Sequence, residues 1–267
     1  MKIPTWCVLA AILGLSASLL VPADAQAEGE VDLALVLAVD VSRSMDREEQ
    51  ELQREGFVEA FRSPQVHEAI RSGMLGRISV TYMEWSGAGD QKVVVPWTVI
   101  EGPESAVEFA ARLAQAPIGR IFQTSISGAI DFSVDLLTQS GLEPVRRVID
   151  ISGDGPNSSG RAVTLARDEA AAKGVTINGL PIMLKRPSGP GEIENLDLYY
   201  RDCVIGGQGA FLVPVRELPQ FAEAIRTKII REIAGREPQQ PVVQPAQAET
   251  VVNCATMGNS LWRNQSP

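Results

Sequence analysis

The sequence predicts an α/β domain, doubly wound around a mostly parallel central sheet with one antiparallel edge strand and helices on both faces. Three observations predict it. Strand-like apolar runs alternate with helix-period segments between Val31 and Ile233, the order that builds βαβ units. The first run, Val31 to Val39, is almost continuously apolar, as a strand covered on both faces must be, since water reaches neither side of it. Two further runs, Arg77 to Glu84 and Lys92 to Trp97, are joined only by the polar stretch Ser86-Gly87-Ala88-Gly89-Asp90, too short for a crossover and right for an antiparallel hairpin.

The elements follow in order. Asp40 closes the first strand. Residues 46–62 have a helical pattern with Leu52, Val58 and Phe61 on the buried stripe, and Pro64 marks a break. After the hairpin, residues 103–114 form a helix with Pro103 near its start and Pro117 beyond its end. Residues 125–138 form another, with Ile126, Ile130, Val134 and Leu137 at the three- and four-residue spacing of one face. Val145 to Ser152 is a strand, Arg161 to Lys173 a helix with Gly174 as its cap, and Val175 to Leu180 the next strand. Residues 185–208 are less regular, with a short helix near Ile193 to Cys203. Ala210 to Pro214 reads as the last strand and Glu217 to Ile233 as the last helix.

The ends differ from the middle. Lys2, the apolar stretch from Cys7 to Val21 and the small residues around Ala23-Asp24-Ala25 and Ala25-Gln26-Ala27 have the pattern of a signal peptide over residues 1–25. The apolar stretch is shorter than the roughly 20 residues a retained anchor needs, so the expectation is a periplasmic or secreted protein with no stable membrane insertion. The folded domain is expected over residues 30–234. Residues 235–267 begin as a Pro, Gln and Ala linker and end in a tail, Val251 to Trp262, that regains apolar residues. Once the leader is removed, Cys203 and Cys254 remain. In an oxidising compartment they are candidates for one disulfide that pins the tail to the domain, the alternative being two independent thiols. A net charge of −9 and a pI near 4.8 argue against nucleic acid or an anionic membrane surface as partner, because both select basic surfaces.

Chemistry concentrates where strands end. Asp40, Ser42 and Ser44 alternate in the turn after the first strand, so that three hard oxygens converge if the turn curls. A cation of the size of Mg²⁺ takes about six such oxygens. A competing use is helix N-capping, in which the same side chains accept the free amides of the following helix. Ser152-Gly153-Asp154-Gly155 ends another apolar strand and brings Asp154 to the same C-terminal sheet edge, although Asp-Gly is also an ordinary turn. Thr124-Ser125-Ile126-Ser127 stands before a helix, with capping again the alternative.

The set Asp40, Ser42, Ser44, then Thr124, then Asp154 resembles the metal-ion-dependent adhesion site of von Willebrand factor type A domains, in order and in separation, over residues 30–234. Within that superfamily the stretch Tyr199-Tyr200-Arg201-Asp202-Cys203-Val204-Ile205-Gly206-Gly207 is similar to an exported proteobacterial group of uncharacterised function. The resemblance implies that Ser42 and Ser44 coordinate Mg²⁺ or Mn²⁺ directly. It implies that Thr124 does so directly or through water, and that Asp40 and Asp154 act largely through bound waters. One coordination position then stays open for an acidic residue of a protein partner. It also implies the antiparallel edge strand already expected from the hairpin.

The expected function is therefore a divalent-metal-dependent protein-binding module for adhesion or assembly in the bacterial envelope, more plausibly a binder than an enzyme. One alternative is a hydrolase using the same ion to activate water, which requires a base such as Glu84 or Asp90 beside it. Another is an ion that only clamps three loops. His67, the single histidine, is expected at the surface or a helix end. Neither late cysteine stands in a catalytic context. Gly153 to Gly160 lacks the Gly-Lys-Ser/Thr ending of a phosphate loop, and Gly206-Gly207 reads as a structural turn. Trp85 and Trp97 are expected to pack together across the hairpin.

Overall fold

The computed structural model describes residues 29–119, 123–185, 193–235 and 251–254. The expected signal peptide and most of the expected linker and tail lie outside the described residues. Five strands, β1 (Gly29–Asp40), β2 (Ile78–Trp85), β3 (Gln91–Ile100), β4 (Leu142–Gly153) and β5 (Val175–Pro181), form one sheet in the order β3-β2-β1-β4-β5. All neighbours are parallel except β2 and β3, so the hairpin does make an antiparallel edge. The helices are α1 (Arg47–Arg62), α2 (Pro64–Arg71), α3 (Pro103–Gln115), α4 (Ile126–Thr138), α5 (Val163–Ala172), the short α6 (Leu196–Tyr199) and α7 (Phe221–Ala234).

The central strand explains why helices cover both faces. In β1 the side chains alternate, so that Leu33, Leu35, Leu37 and Val39 enter a core with Phe57, Phe61, Phe109 and Ile225 from α1, α3 and α7. Ala34, Val36 and Ala38 enter the other, with Ile126, Ala166, Tyr199 and Tyr200 from α4, α5 and the segment at α6. Chain order places consecutive crossovers on opposite sides of β1, and the C-terminal ends of β1 and β4 come side by side, Val39 opposite Ser152.

Several expectations are corrected. The break expected at Pro64 is there, since α1 ends at Arg62, but a second helix follows it at once. Pro64 starts α2, where its missing N–H is one that no helix could satisfy, and Ser63 caps this helix by accepting the amide of Val66. His67 is consequently buried and its Nε2 bonds to the carbonyl of Phe61 at 2.8 Å. Strand β3 runs past Trp97 to Ile100 because Pro96 is tolerated on an edge, and the carbonyl of Pro96 accepts the hydroxyl of Thr98. Trp85 faces Gln91 in the register, while Trp97 sends its indole N–H to the carbonyl of Leu136. The two tryptophans therefore join one core without pairing across the hairpin. Ala210 to Pro214 is not a sixth strand. Residues 206–215 run beside β5 through three isolated bridges, at Gly206, Leu212 and Val215. Left-handed glycines at 207 and 209 separate the first bridge from the others, and Pro181 of β5 has no N–H to donate the rung between Leu212 and Val215.

The second half holds two ties that sequence patterning does not display. Lys228 of α7 is fully buried, ion-paired to both Asp150 of β4 and Glu232 one turn along its own helix. Asn178 of β5 donates to Glu232 at 3.2 Å and accepts the amide of Phe211 at 3.0 Å. Burial, then the nearby Asp150, pushes the Glu232 carboxyl up to about 7; burial also raises Asp150, against the pull of Lys228. Elsewhere, α6 continues into a π-helical turn, Tyr200–Val204, whose Cys203 is joined by a disulfide to Cys254. The amide of Val252 bonds to Asp202 at 2.8 Å, so residues 251–254 lie against that turn.

Candidate metal centre

The turn after β1 begins with Asp40, fully buried, whose Oδ1 accepts the backbone amide of Ser42 at 2.7 Å. This folds the turn back on itself. Ser42 and Ser44 then stand with hydroxyl oxygens 3.0 Å apart, and Ser44 donates to Oδ1 of Asp154 at 2.6 Å. Asp40 and Ser42 form the buried floor, while Ser44 is exposed and Asp154 half-buried, so the group opens to solvent on one side. Oδ2 of Asp40 is buried with no hydrogen-bond partner.

Capping accounts for neither serine. Helix α1 is capped by Asp46, which accepts the amide of Glu49 while the Glu49 carboxylate accepts the amide of Asp46, a complete capping box. Likewise α4 is capped by Ser125, whose Oγ accepts the amide of Gly128 at 3.1 Å. Both helix starts are thus satisfied without Asp40, Ser42, Ser44 or Thr124. The Asp46-x-x-Glu49 spacing was present in the sequence and is the signal that would have separated the two uses.

Thr124 is held near this edge by its backbone. Its carbonyl accepts the amides of Ser158 and Ser159, at 2.8 and 3.1 Å, which lie just beyond Asp154. Its hydroxyl makes no hydrogen bond to a described residue, so the structure joins Asp40, Ser42, Ser44 and Asp154 and leaves Thr124 outside that bonded set. Gln123 before it has φ 76°, the only positive φ among described non-glycine residues, a costly backbone state that packing must enforce.

Electrostatics at the group follow from burial. Desolvation, then the proximity of Asp154, raises Asp40 well above the ordinary carboxylate range. Asp154 is pushed up to about 6, chiefly by burial and against the hydrogen bond from Ser44. Two carboxylates and two hydroxyls around a common opening make a hard-oxygen donor set that lacks positive charge. Among the described residues no cluster of three or more Asp, Glu, His or Cys is disposed to hold a metal.

The surroundings brace this arrangement. Gln53 of α1 donates to Ser152 at 2.7 Å, just ahead of Asp154. Gly153 passes so close to Asp40 that a Cβ there would lie 2.8 Å from Oδ2 and 3.0 Å from the hydroxyl of Tyr200. Tyr199 accepts the amide of Asn157 at 3.1 Å, holding the loop after Asp154. The sequence reading gave these two tyrosines no place at the centre, since a contact some forty residues downstream leaves no local pattern. Beside the opening, a cavity of about 450 Å³ is lined by Ser44, Asp154, Glu49, Ile182, Lys185 and Arg216, among others. Glu84 is not available as a base: it is buried, ion-paired with Arg54, and accepts the amide of Gly119 at 2.9 Å. Asp90 is exposed on the hairpin.

A family profile described as "Protein of unknown function (DUF1194)" matches residues 30–237. No curated protein matches the chain. Solved structures with the same fold include proximal thread matrix protein 1 from the mussel byssus, at 14% identity and TM-score 0.57, covering 78% of this chain and 49% of that one. A second structure of that protein, described as having a zinc occupied MIDAS motif, aligns at 10% identity and TM-score 0.52, covering 76% and 46%. The pilus adhesin SpaC from Lactobacillus rhamnosus GG aligns at 13% identity and TM-score 0.54, covering 76% and 30%. A von Willebrand factor type A structure from Catenulispora acidiphila aligns at 13% identity and TM-score 0.51, covering 76% and 43%. This chain therefore has a von Willebrand factor type A-like fold and spans half or less of the length of each of these proteins. Among the described residues no helix is long and apolar enough to cross a membrane.

Proposed function

The chain belongs to the DUF1194 family, and on that premise we propose that it is an exported, divalent-metal-dependent protein-binding module, acting in adhesion or assembly at the cell envelope. The observation that carries this reading is the junction of Asp40, Ser42, Ser44 and Asp154 at the C-terminal sheet edge, with one carboxylate oxygen of Asp40 buried and unpartnered. A buried carboxyl oxygen without a partner is unfavourable unless a cation or donor completes it, and the oxygen set suits Mg²⁺ or Mn²⁺.

In this reading Ser42 and Ser44 would hold the cation by their hydroxyls, Asp40 and Asp154 would hold it largely through water, and Thr124 would join from the neighbouring loop. When bound, the cation supplies a Lewis-acidic position able to take a carboxylate from a partner protein. Asp40 and Asp154 together offset its charge, so attraction for a third carboxylate persists without one becoming obligatory. Ser44 and Asp154, at the solvent side, would face the partner, and the adjoining cavity would receive the residues flanking its acidic group. The zinc occupied MIDAS motif of the mussel thread protein, on the same fold, supports the reading by analogy of fold. The hydrolase alternative is weakened because Glu84 is committed to Arg54 and Gly119 and His67 to Phe61.

The test is affinity capture from an envelope extract of the native organism, with the exported chain as bait, in Mg²⁺ and in EDTA, and with Asp40→Ala in parallel. A protein retained only by the unaltered chain in Mg²⁺ is expected. Retention indifferent to both the metal and Asp40 would remove the basis for the proposal.

A further inference from the structure

Tyr200 lies outside every loop that the sequence assigns to the centre, yet its hydroxyl ends there. The side chain is fully buried and its oxygen has no hydrogen-bond partner. It stands 3.0 Å from the point where a Gly153 side chain would begin, and Oδ2 of Asp40, also buried and unpartnered, stands 2.8 Å from the same point. One orphan is an O–H donor and the other a carboxylate acceptor, and they border the same glycine-sized space. Folded proteins rarely leave such groups unmatched, and those that remain mark places where something else completes them. Tyr200 also opens the π-helical turn Tyr200–Val204, a geometry found disproportionately at functional sites. That turn is fixed from behind by the Cys203–Cys254 disulfide and by the bond from Val252 to Asp202. A merely space-filling residue would be served as well by phenylalanine, which would not bury an unmatched hydroxyl against a carboxylate.

We infer that Tyr200 is a positioning residue of the metal centre: its hydroxyl, unbonded in this structure, would become the donor to Oδ2 of Asp40 once a cation is held, across the space that Gly153 keeps open, and so orient that carboxylate. The inference rests on the metal-binding reading above and adds to it a residue from the segment that follows α6. Groups that orient a metal's ligands in this way change affinity about 10- to 100-fold when removed.

Mn²⁺ alone is the probe, titrated into the exported full chain by calorimetry and by electron paramagnetic resonance. The unaltered protein is compared with Tyr200→Phe and with Tyr82→Phe, and each is also melted in EDTA. Tyr82 is an equally buried tyrosine on the other face, whose hydroxyl lies 3.4 Å from Arg54. Tyr200→Phe is expected to weaken Mn²⁺ binding by about tenfold or more while its melting temperature in EDTA stays level or rises, because an unmatched hydroxyl has been deleted. Tyr82→Phe is expected to leave the affinity unchanged. Equal affinity in Tyr200→Phe and the unaltered chain overturns the inference alone. Matched losses of affinity and of EDTA stability in both variants overturn it too, by making the effect general. Absence of saturable Mn²⁺ binding in the unaltered chain overturns the metal reading and this inference with it.

Discussion

Substituting Lys228 by Met isolates the largest electrostatic commitment in the interior. Lys228, Asp150 and Glu232 each have about 1% of their surface exposed, and the lysine is the cation paired with both acids. Methionine fills a comparable volume with apolar atoms, so packing changes little; what is lost is the charge. Removing one member of a buried ion pair costs about 3–5 kcal/mol, a large share of the roughly 5–15 kcal/mol that holds a domain folded. At about 2–4 °C per kcal/mol for a chain of this size, the melting temperature should drop by roughly 6–20 °C. Urea denaturation in EDTA, followed by circular dichroism at pH 7.5 and again at pH 5.5, measures this. The loss should be smaller at the lower pH, where Glu232, pushed up to about 7, takes a proton. The triple variant Lys228→Met with Asp150→Asn and Glu232→Gln should recover most of the stability. A single-variant loss below about 1 kcal/mol, or a triple variant no better than the single, would refute the charge argument.

Two other outcomes are expected. Gly153→Ala should cost about 1–3 kcal/mol by over-packing, since the new methyl meets Oδ2 and Cβ of Asp40 and the Tyr200 hydroxyl at 2.8, 3.2 and 3.0 Å; wild-type stability and Mn²⁺ affinity in this variant would contradict the geometry. The second concerns pH. Carboxyls whose folded value is raised contribute stability that is complete below their unfolded value and is lost as pH climbs through the folded value. Asp154, at about 6, and Glu232, at about 7, should therefore make the metal-free protein less stable between roughly pH 4 and pH 7. A cation at the proposed site would compete with protons at Asp154, so the rise in melting temperature on adding Mg²⁺ should be greater at pH 7.5 than at pH 5. The reverse order in a thermal-shift series would count against the site.

What could be read from the sequence was what local physics decides. The unbroken apolar run of β1 announced a strand buried on two faces, and the polar five residues at 86–90 announced a hairpin. That Asp40, Ser42, Ser44 and Asp154 come together was legible because strand ends in a doubly wound sheet gather at one edge. The break at Pro64 was legible; the helix α2 that starts on it was not, because proline stands equally well after one helix and at the start of another, and only the serine before it distinguishes the two. Lys228 and Glu232 look like a solvated pair one turn apart; nothing in helical periodicity reveals that Asp150 of a distant strand buries them. Ala210 to Pro214 has strand composition, yet the glycines before it and Pro181 in the strand beside it permit only isolated bridges. Tyr200 reaches Asp40 through tertiary packing alone.

The manner in which the sheet finishes at its two sides has a consequence for crowding and for recognition. A bare outermost strand is an invitation to another chain to zip on, which leads to aggregation. Here Pro96 deletes a donor from the middle of β3 and has its carbonyl engaged by Thr98, while residues 206–215 lie along the flank of β5. Both rims are therefore poor templates for strand addition. Copies of the chain are kept from pairing edge to edge by this means, and the partner proposed above would approach through the loops at the strand ends instead of extending the sheet.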